Sequence, residues 1–227
     1  AYSGPRDLAE GETLEFDDVV TKTVLVADDV ASSPKETAAK RRGVAGMVYA
    51  FKIAGAAAEE MKSLDEVAAL AKKALDNIRT MGVALSPCIV PEVGIPTFSI
   101  GADEIEIGMG IHGEPGIELC KMMSADEIAE SVLKRILEDM PIPEGSEVSV
   151  MINGLGATPM EELLIVYRKV HMLLADKGIK VFMPHIGEFA TSMEMAGLSV
   201  TVFRLDEELK ALLQAPAKTP FYTNYNK

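Results

Sequence analysis

One short segment of this chain concentrates residues that could do chemistry. It runs Gly108, Met109, Gly110, Ile111, His112, Gly113, Glu114, Pro115, Gly116 and places a histidine among four glycines. Glycines reach backbone angles closed to other residues and let another molecule approach the main chain. Pro115 cannot donate a ladder hydrogen bond, so the strand-like run from Glu104 to Gly108 should stop near His112. An imidazole at a strand end can serve as nucleophile, base or metal ligand. The same residues also fit an awkward turn with a polar histidine in it.

A second glycine turn, Asn153, Gly154, Leu155, Gly156, Ala157, Thr158, follows a strand pattern and precedes a helical one. Strand, glycine turn and helix N-terminus together can bind an anion. No Lys-Ser or Lys-Thr follows Gly156, and the dinucleotide spacing is missing. A tight structural connection is the alternative reading. Of the other histidines, His171 falls in step with Leu163, Leu164, Tyr167, Val170 and Leu174, which predicts a core position. His185, after a strand and before Gly187, could line a cleft. The spacing of His, Cys and carboxylates predicts no protein-held metal.

The elements that must position these residues alternate between helix and strand. Residues 24–27 read as a buried strand, 43–59 as a buried, alanine-rich helix, and 81–90 as extended chain before a loop rich in proline and glycine. Ser63 with Glu66 and Ser124 with Glu127 form capping boxes ahead of helical periodicity. Strands are expected at 147–152, 179–183 and 198–205, and a helix opened by Thr158 as cap with Pro159 at its first position. A short amphipathic segment at 207–214 precedes a tail-like 216–227. The expected fold class is α/β, two subdomains of mixed sheets flanked by helices. Residues 1–60 form part of a first subdomain, 61–80 a connecting helix, and 81–227 a second subdomain carrying His112.

At 227 residues and 48% hydrophobic content the chain can build a proper core. Two cysteines, Cys88 and Cys120, with no close pair fit a reducing, cytoplasmic compartment. The formal net charge of -13 argues against nucleic acid or an anionic membrane as partner. No apolar run has the length of a transmembrane span.

The segment 108–116 resembles the signature of the substrate-binding subunit of dihydroxyacetone kinase. Further segments resemble that family in the same order: Asp28, Asp29 and Val30; Arg41, Arg42 and residues 43–46; Lys52 and Ile53 through 55–59; residues 153–159; and residues 191–197. The likeness runs from about Val24 to the C-terminus. It implies that His112 adds to the carbonyl carbon of dihydroxyacetone and holds it as a hemiaminal, with Gly110 and Gly113 lining the substrate. Capture through the carbonyl would separate the ketone from glycerol, which hydrogen bonds alone do poorly, and would present a terminal hydroxyl for phosphorylation.

The family carries a longer N-terminal segment with a substrate-contacting histidine, and an aspartate directly after a Tyr-Ser/Thr-Gly run. Here Tyr2, Ser3 and Gly4 are followed by Pro5; Asp7, two residues later, is the substrate-binding candidate at that place. No complete nucleotide site is legible, so the resemblance implies a phosphoryl donor, ADP/ATP with Mg, on a partner subunit or domain. No such domain follows Pro216, which favours the phosphoenolpyruvate-linked, multi-subunit type of kinase. A homodimer is implied as well. The competing expectation is a non-catalytic sensor or coactivator that binds the ketone through the same histidine.

Overall fold

The computed structural model describes residues 15–16, 19–89, 92 and 94–225. Its centre is a six-stranded mixed sheet of β3 (Ile78–Ala84), β4 (Glu104–Ile107), β5 (Glu118–Lys121), β6 (Glu147–Gly154), β7 (Lys180–Gly187) and β8 (Gly197–Leu205), in the order β5-β4-β3-β8-β6-β7. Only β6 and β7 run parallel; the remaining pairs are antiparallel. Two small hairpins lie outside it: β1 (Glu15–Phe16) with β2 (Val19–Val20), and β9 (Ala217–Lys218) with β10 (Thr223–Asn224). The α/β class expected from sequence is what forms.

Both sheet faces are covered, which is why the central strands are apolar at nearly every position. On one face Val148, Val150 and Ile152 of β6 and Val200 and Val202 of β8 meet α3 (Ala125–Asp139) and α4 (Met160–Asp176). On the other, Ile78, Met151 and Phe203 meet α1 (Met47–Glu59), α2 (Leu64–Asp76) and α5 (Glu207–Gln214). The helix inside the stretch expected to connect two subdomains, α2, packs on α1 and β3. Both capping boxes form: the hydroxyls of Ser63 and Ser124 accept from the amides of Glu66 and Glu127, whose carboxylates accept in return.

Several boundaries differ from expectation for identifiable reasons. Residues 24–27 form no strand, and Leu25 is half exposed; this segment reaches the sheet only at its end, where Asp29 bridges Thr80. Helix α1 begins at Met47, because the preceding residues run across the carboxylate of Asp28. Strand β3 starts three residues before the expected extended run and ends at Ala84. Pro159 is the N-cap of α4, and the Thr158 hydroxyl, expected to cap it, instead bonds the backbone of Gly197. The strand leading to His112 stops at Ile107, and β5 went unforeseen because its four residues carry no period-2 pattern. The tail-like end folds into the β9–β10 hairpin, where Asn224 donates to the last carbonyls of α5.

Candidate functional site

Residues 108–116 fold back after β4 into a compact loop. The Gly110 amide donates to the Glu114 carbonyl at 3.0 Å, and the Gly113 amide to the Gly110 carbonyl at 3.1 Å. Gly113 has φ +80°, a left-handed conformation that glycine adopts without strain. Met109 and Ile111 anchor the loop in a small apolar cluster with Val44, Ala84, Cys88, Leu155 and Met195. Between these anchors His112 stands out of the surface, its side chain 58% exposed.

One carboxylate controls the ring. Glu114 accepts from the His112 amide at 2.9 Å through Oε2 and meets the imidazole Nδ1 at 3.2 Å through Oε1. Burial pushes the Glu114 carboxyl up, but hydrogen bonds from its own amide, the His112 amide and the His112 ring hold it below the ordinary value. An ionised carboxylate can only accept, so the facing Nδ1 must carry the proton. In a neutral imidazole that leaves the Nε2 lone pair free.

His112 and Ile111 form one wall of a cleft of about 990 Å³. Met47, Phe51 and Lys52 of α1 form another; Phe189, Thr191 and the C-terminal hairpin with Phe221 and Tyr222 close the rest. The Lys52 amine donates to the Leu212 carbonyl at 2.6 Å, and burial holds it below the usual lysine range. Of the glycines expected to touch substrate, Gly110 is buried, with the Glu114 carboxylate and the Arg42 guanidinium against its bare Cα, and Gly113 lies against Thr97. Asp7 lies outside the described residues. Among the described residues no group of three or more His, Cys, Asp or Glu side chains is arranged for a metal ion.

The motifs scattered along the sequence meet around this loop. Asp28 is buried and its oxygens accept from the amides of Val44 and Gly46 at 2.8 and 2.7 Å; burial raises its pKa against these bonds. Burial likewise pushes Asp29 up to about 6, opposed by Arg42. Arg41 turns the other way and makes a two-pronged pair with Asp139 at 2.9 and 2.6 Å. The turn at 153–158 is spent inside the fold: Asn153 bonds the amides of Phe189 and Ala190 and the Ala190 carbonyl, while the Leu155 and Ala157 amides donate to Gly197 and Met195. That last pair belongs to the 191–197 motif, so two distant motifs are one interlock.

The other two histidines part from expectation in different ways. His171 is exposed, because the buried stripe of α4 runs through Leu163, Val166, Val170 and Leu174 and leaves Leu164 and His171 to one side. His185 lies within β7, buried among Tyr49, Phe189 and Tyr222; burial lowers its pKa to about 4, with Lys52 adding to the effect. Its Nε2 meets the Tyr222 hydroxyl at 3.1 Å, and Tyr222 in turn lines the cleft. The sequence singles out nothing at Tyr222, and it shows Arg42 only as part of the motif at 41–46, without a role.

Comparison with known proteins decides the family. The model of the Dak1 domain matches residues 7–221. This chain belongs to the Dak1 family. The Dak1 chain is 45% identical over 206 residues to the dihydroxyacetone-binding subunit DhaK of PTS-dependent dihydroxyacetone kinase 1 from Listeria innocua, covering 90% of this chain and 63% of that protein. Its fold matches the solved dihydroxyacetone kinase operon co-activator Dha-DhaQ with a TM-score of 0.78 at 32% identity, over 85% of this chain and 60% of the other. The dihydroxyacetone kinase of C. freundii, solved with AMP-PNP and Mg2+, also gives 0.78, at 29% identity over 89% and 37%. The chain therefore spans less than two thirds of the length of these relatives. The likeness read from the motifs holds across most of the chain.

Proposed function

We propose that this domain supplies the ketone site of a dihydroxyacetone kinase and that His112 holds dihydroxyacetone covalently. The observation that carries the reading is the exposed His112 ring at the cleft wall, its Nδ1 facing an ionised Glu114 at 3.2 Å. The Nε2 lone pair attacks the carbonyl carbon and forms a C–N bond while the C=O π pair moves to oxygen. Solvent protonates that oxygen, and the Nδ1 proton passes to Glu114 and on to water, so the hemiaminal forms with no net change in protons. The ketone group itself becomes the recognised feature, and a terminal hydroxyl is held facing the cleft.

The phosphoryl group comes from a nucleotide carried on a partner subunit, with this chain binding no cofactor itself. The PTS-dependent and PEP-dependent names of related dihydroxyacetone-binding subunits support the phosphoenolpyruvate-linked version of that arrangement; a cytoplasmic homodimer is part of the same proposal. Asp7 keeps its place as a further substrate contact, and Gly110 and Gly113 shape the loop beneath the ketone.

The test uses dihydroxyacetone labelled with 13C at its carbonyl and the protein at its full natural length. Capture moves the label from the carbonyl region of the NMR spectrum to that of a tetrahedral carbon, and His112→Ala abolishes the shift. A wild-type spectrum that keeps the free carbonyl signal overturns the proposal. A second reading, a ketone-sensing coactivator, is favoured by the match to the operon co-activator. It predicts capture by His112 with no phosphorylated product when the donor subunit is supplied.

A further inference from the structure

Two residues of the sequence motifs, Asp29 and Arg42, have no part in the chemistry above, yet Arg42 lies against the His112 loop and Asp29 holds Arg42. Arg42 donates through Nη2 to the Gly108 carbonyl at 3.0 Å and reaches the Pro115 carbonyl through Nη1 at 3.5 Å. These carbonyls stand at the two ends of the nine-residue loop. The guanidinium is itself held: Nε and Nη2 both lie 2.8 Å from Asp29 Oδ2. Asp29 is fixed in turn by the Ala31 amide at 3.0 Å, and its side chain is 2% exposed against 23% for Arg42. The Arg42 guanidinium and the Glu114 carboxylate share the bare Cα face of Gly110, which puts the cation beside the carboxylate that orients the imidazole.

We propose that Arg42 is a positioning residue for His112: by bonding both ends of the loop, with Asp29 fixing its fork, it sets the Glu114 carboxylate and hence the His112 tautomer. The fork is what the geometry uses. Three directed N–H groups serve one carboxylate and two carbonyls at once, which a lysine ammonium on a flexible stem does not reproduce. Arg41 sharpens the assignment, since its pair with Asp139 is remote in role and serves the packing of α3. The proposal rests on the reading of His112 as the ketone-capturing residue.

The experiment compares wild type, Arg42→Ala, Arg42→Lys and Asp29→Asn. It reads the thermal melt, the His112 imidazole signals by 15N NMR, and capture of the labelled ketone. In folded Arg42→Ala the protonated Nδ1 signature of His112 is lost and capture weakens by roughly 10- to 100-fold, the scale on which a misplaced catalytic group costs rate. Millimolar guanidinium restores both in Arg42→Ala, while Arg42→Lys stays impaired and Asp29→Asn falls between. An unchanged His112 signature and unchanged capture in Arg42→Ala overturn the proposal. So does a lowered melt with no recovery of the His112 signature by guanidinium, which marks a merely structural role. If Arg42→Ala fails to fold, Arg42→Lys decides: wild-type behaviour there overturns it. If wild type captures no ketone, the function proposed above fails, while the His112 signature still decides on positioning.

Discussion

Two glycine-rich turns close strands of the same sheet and do opposite things. At 153–158 the glycines bring backbone against backbone: Asn153 is fully buried, and the amides of Leu155 and Ala157 are satisfied by Gly197 and Met195. At 108–116 they hold a loop tight so that one side chain, His112, is left standing in a cleft. A reactive group needs a partner that fixes it and an open side that receives substrate. The first turn spends the Asn153 and Thr158 side chains and the Leu155 and Ala157 amides on the fold; the second keeps one side chain in reserve.

That contrast breaks most readily at Gly156. Its φ is +127°, and a Cβ there would run into the Met193 carbonyl. Gly156→Ala should therefore cost roughly 3 kcal/mol or more in urea unfolding, the range of strained and overpacked sites. A cost under about 1 kcal/mol would mean that the interlock with 191–197 yields, and the two turns would differ less than described.

The buried side of the comparison also has a pH signature. His185 has a folded pKa of about 4, set by burial and by Lys52, against an ordinary value of 6.5. Between these values the unfolded chain binds the proton and the folded chain does not, so stability rises with pH through that window. His185 should contribute its full effect above pH 6.5 and cost about 3 kcal/mol by pH 4. The measurement is the difference between wild type and His185→Phe in unfolding free energy across that range. Asp29, raised to about 6, acts with the opposite sign and is common to both proteins.

Smaller effects sharpen the open turn. Glu114→Gln removes the acceptor-only carboxylate, so ring orientation is no longer dictated by charge. It should lower stability by about 1 kcal/mol, as loss of charge-assisted hydrogen bonds does, while capture of labelled ketone falls far more steeply than the folded fraction. Smallest of all, His112→Ala and His171→Ala should each change unfolding free energy by less than about 0.5 kcal/mol, because both rings are exposed. Only the first should abolish capture. A large stability loss in His171→Ala would restore the core position that its spacing predicts.

How far the sequence carried depends on what kind of signal each element leaves. Capping boxes at Ser63 and Ser124 are local, two-residue codes, and both helices start where those residues place them. The loop at His112 was legible because glycine and proline constrain backbone without help from neighbours. Periodicity failed at α4, where Leu164 and His171 keep step with the buried residues yet lie beyond the sheet's reach. Strand β5 is exposed at three of its four residues, so burial never wrote a pattern into it. The hairpin at 217–224 depends on Tyr222 finding His185 across 37 residues, a pairing that no local window contains. Arg42 was visible as part of a motif, but its two carbonyl partners belong to a segment more than sixty residues on.

That hairpin makes the protein readily instrumented. Phe221 stands at its tip, 93% exposed and on the cleft rim, and the sequence contains no tryptophan. Phe221→Trp would give the molecule a single indole at the mouth of the cleft that His112 faces, where its emission can follow the arrival of a ligand or a partner without a label.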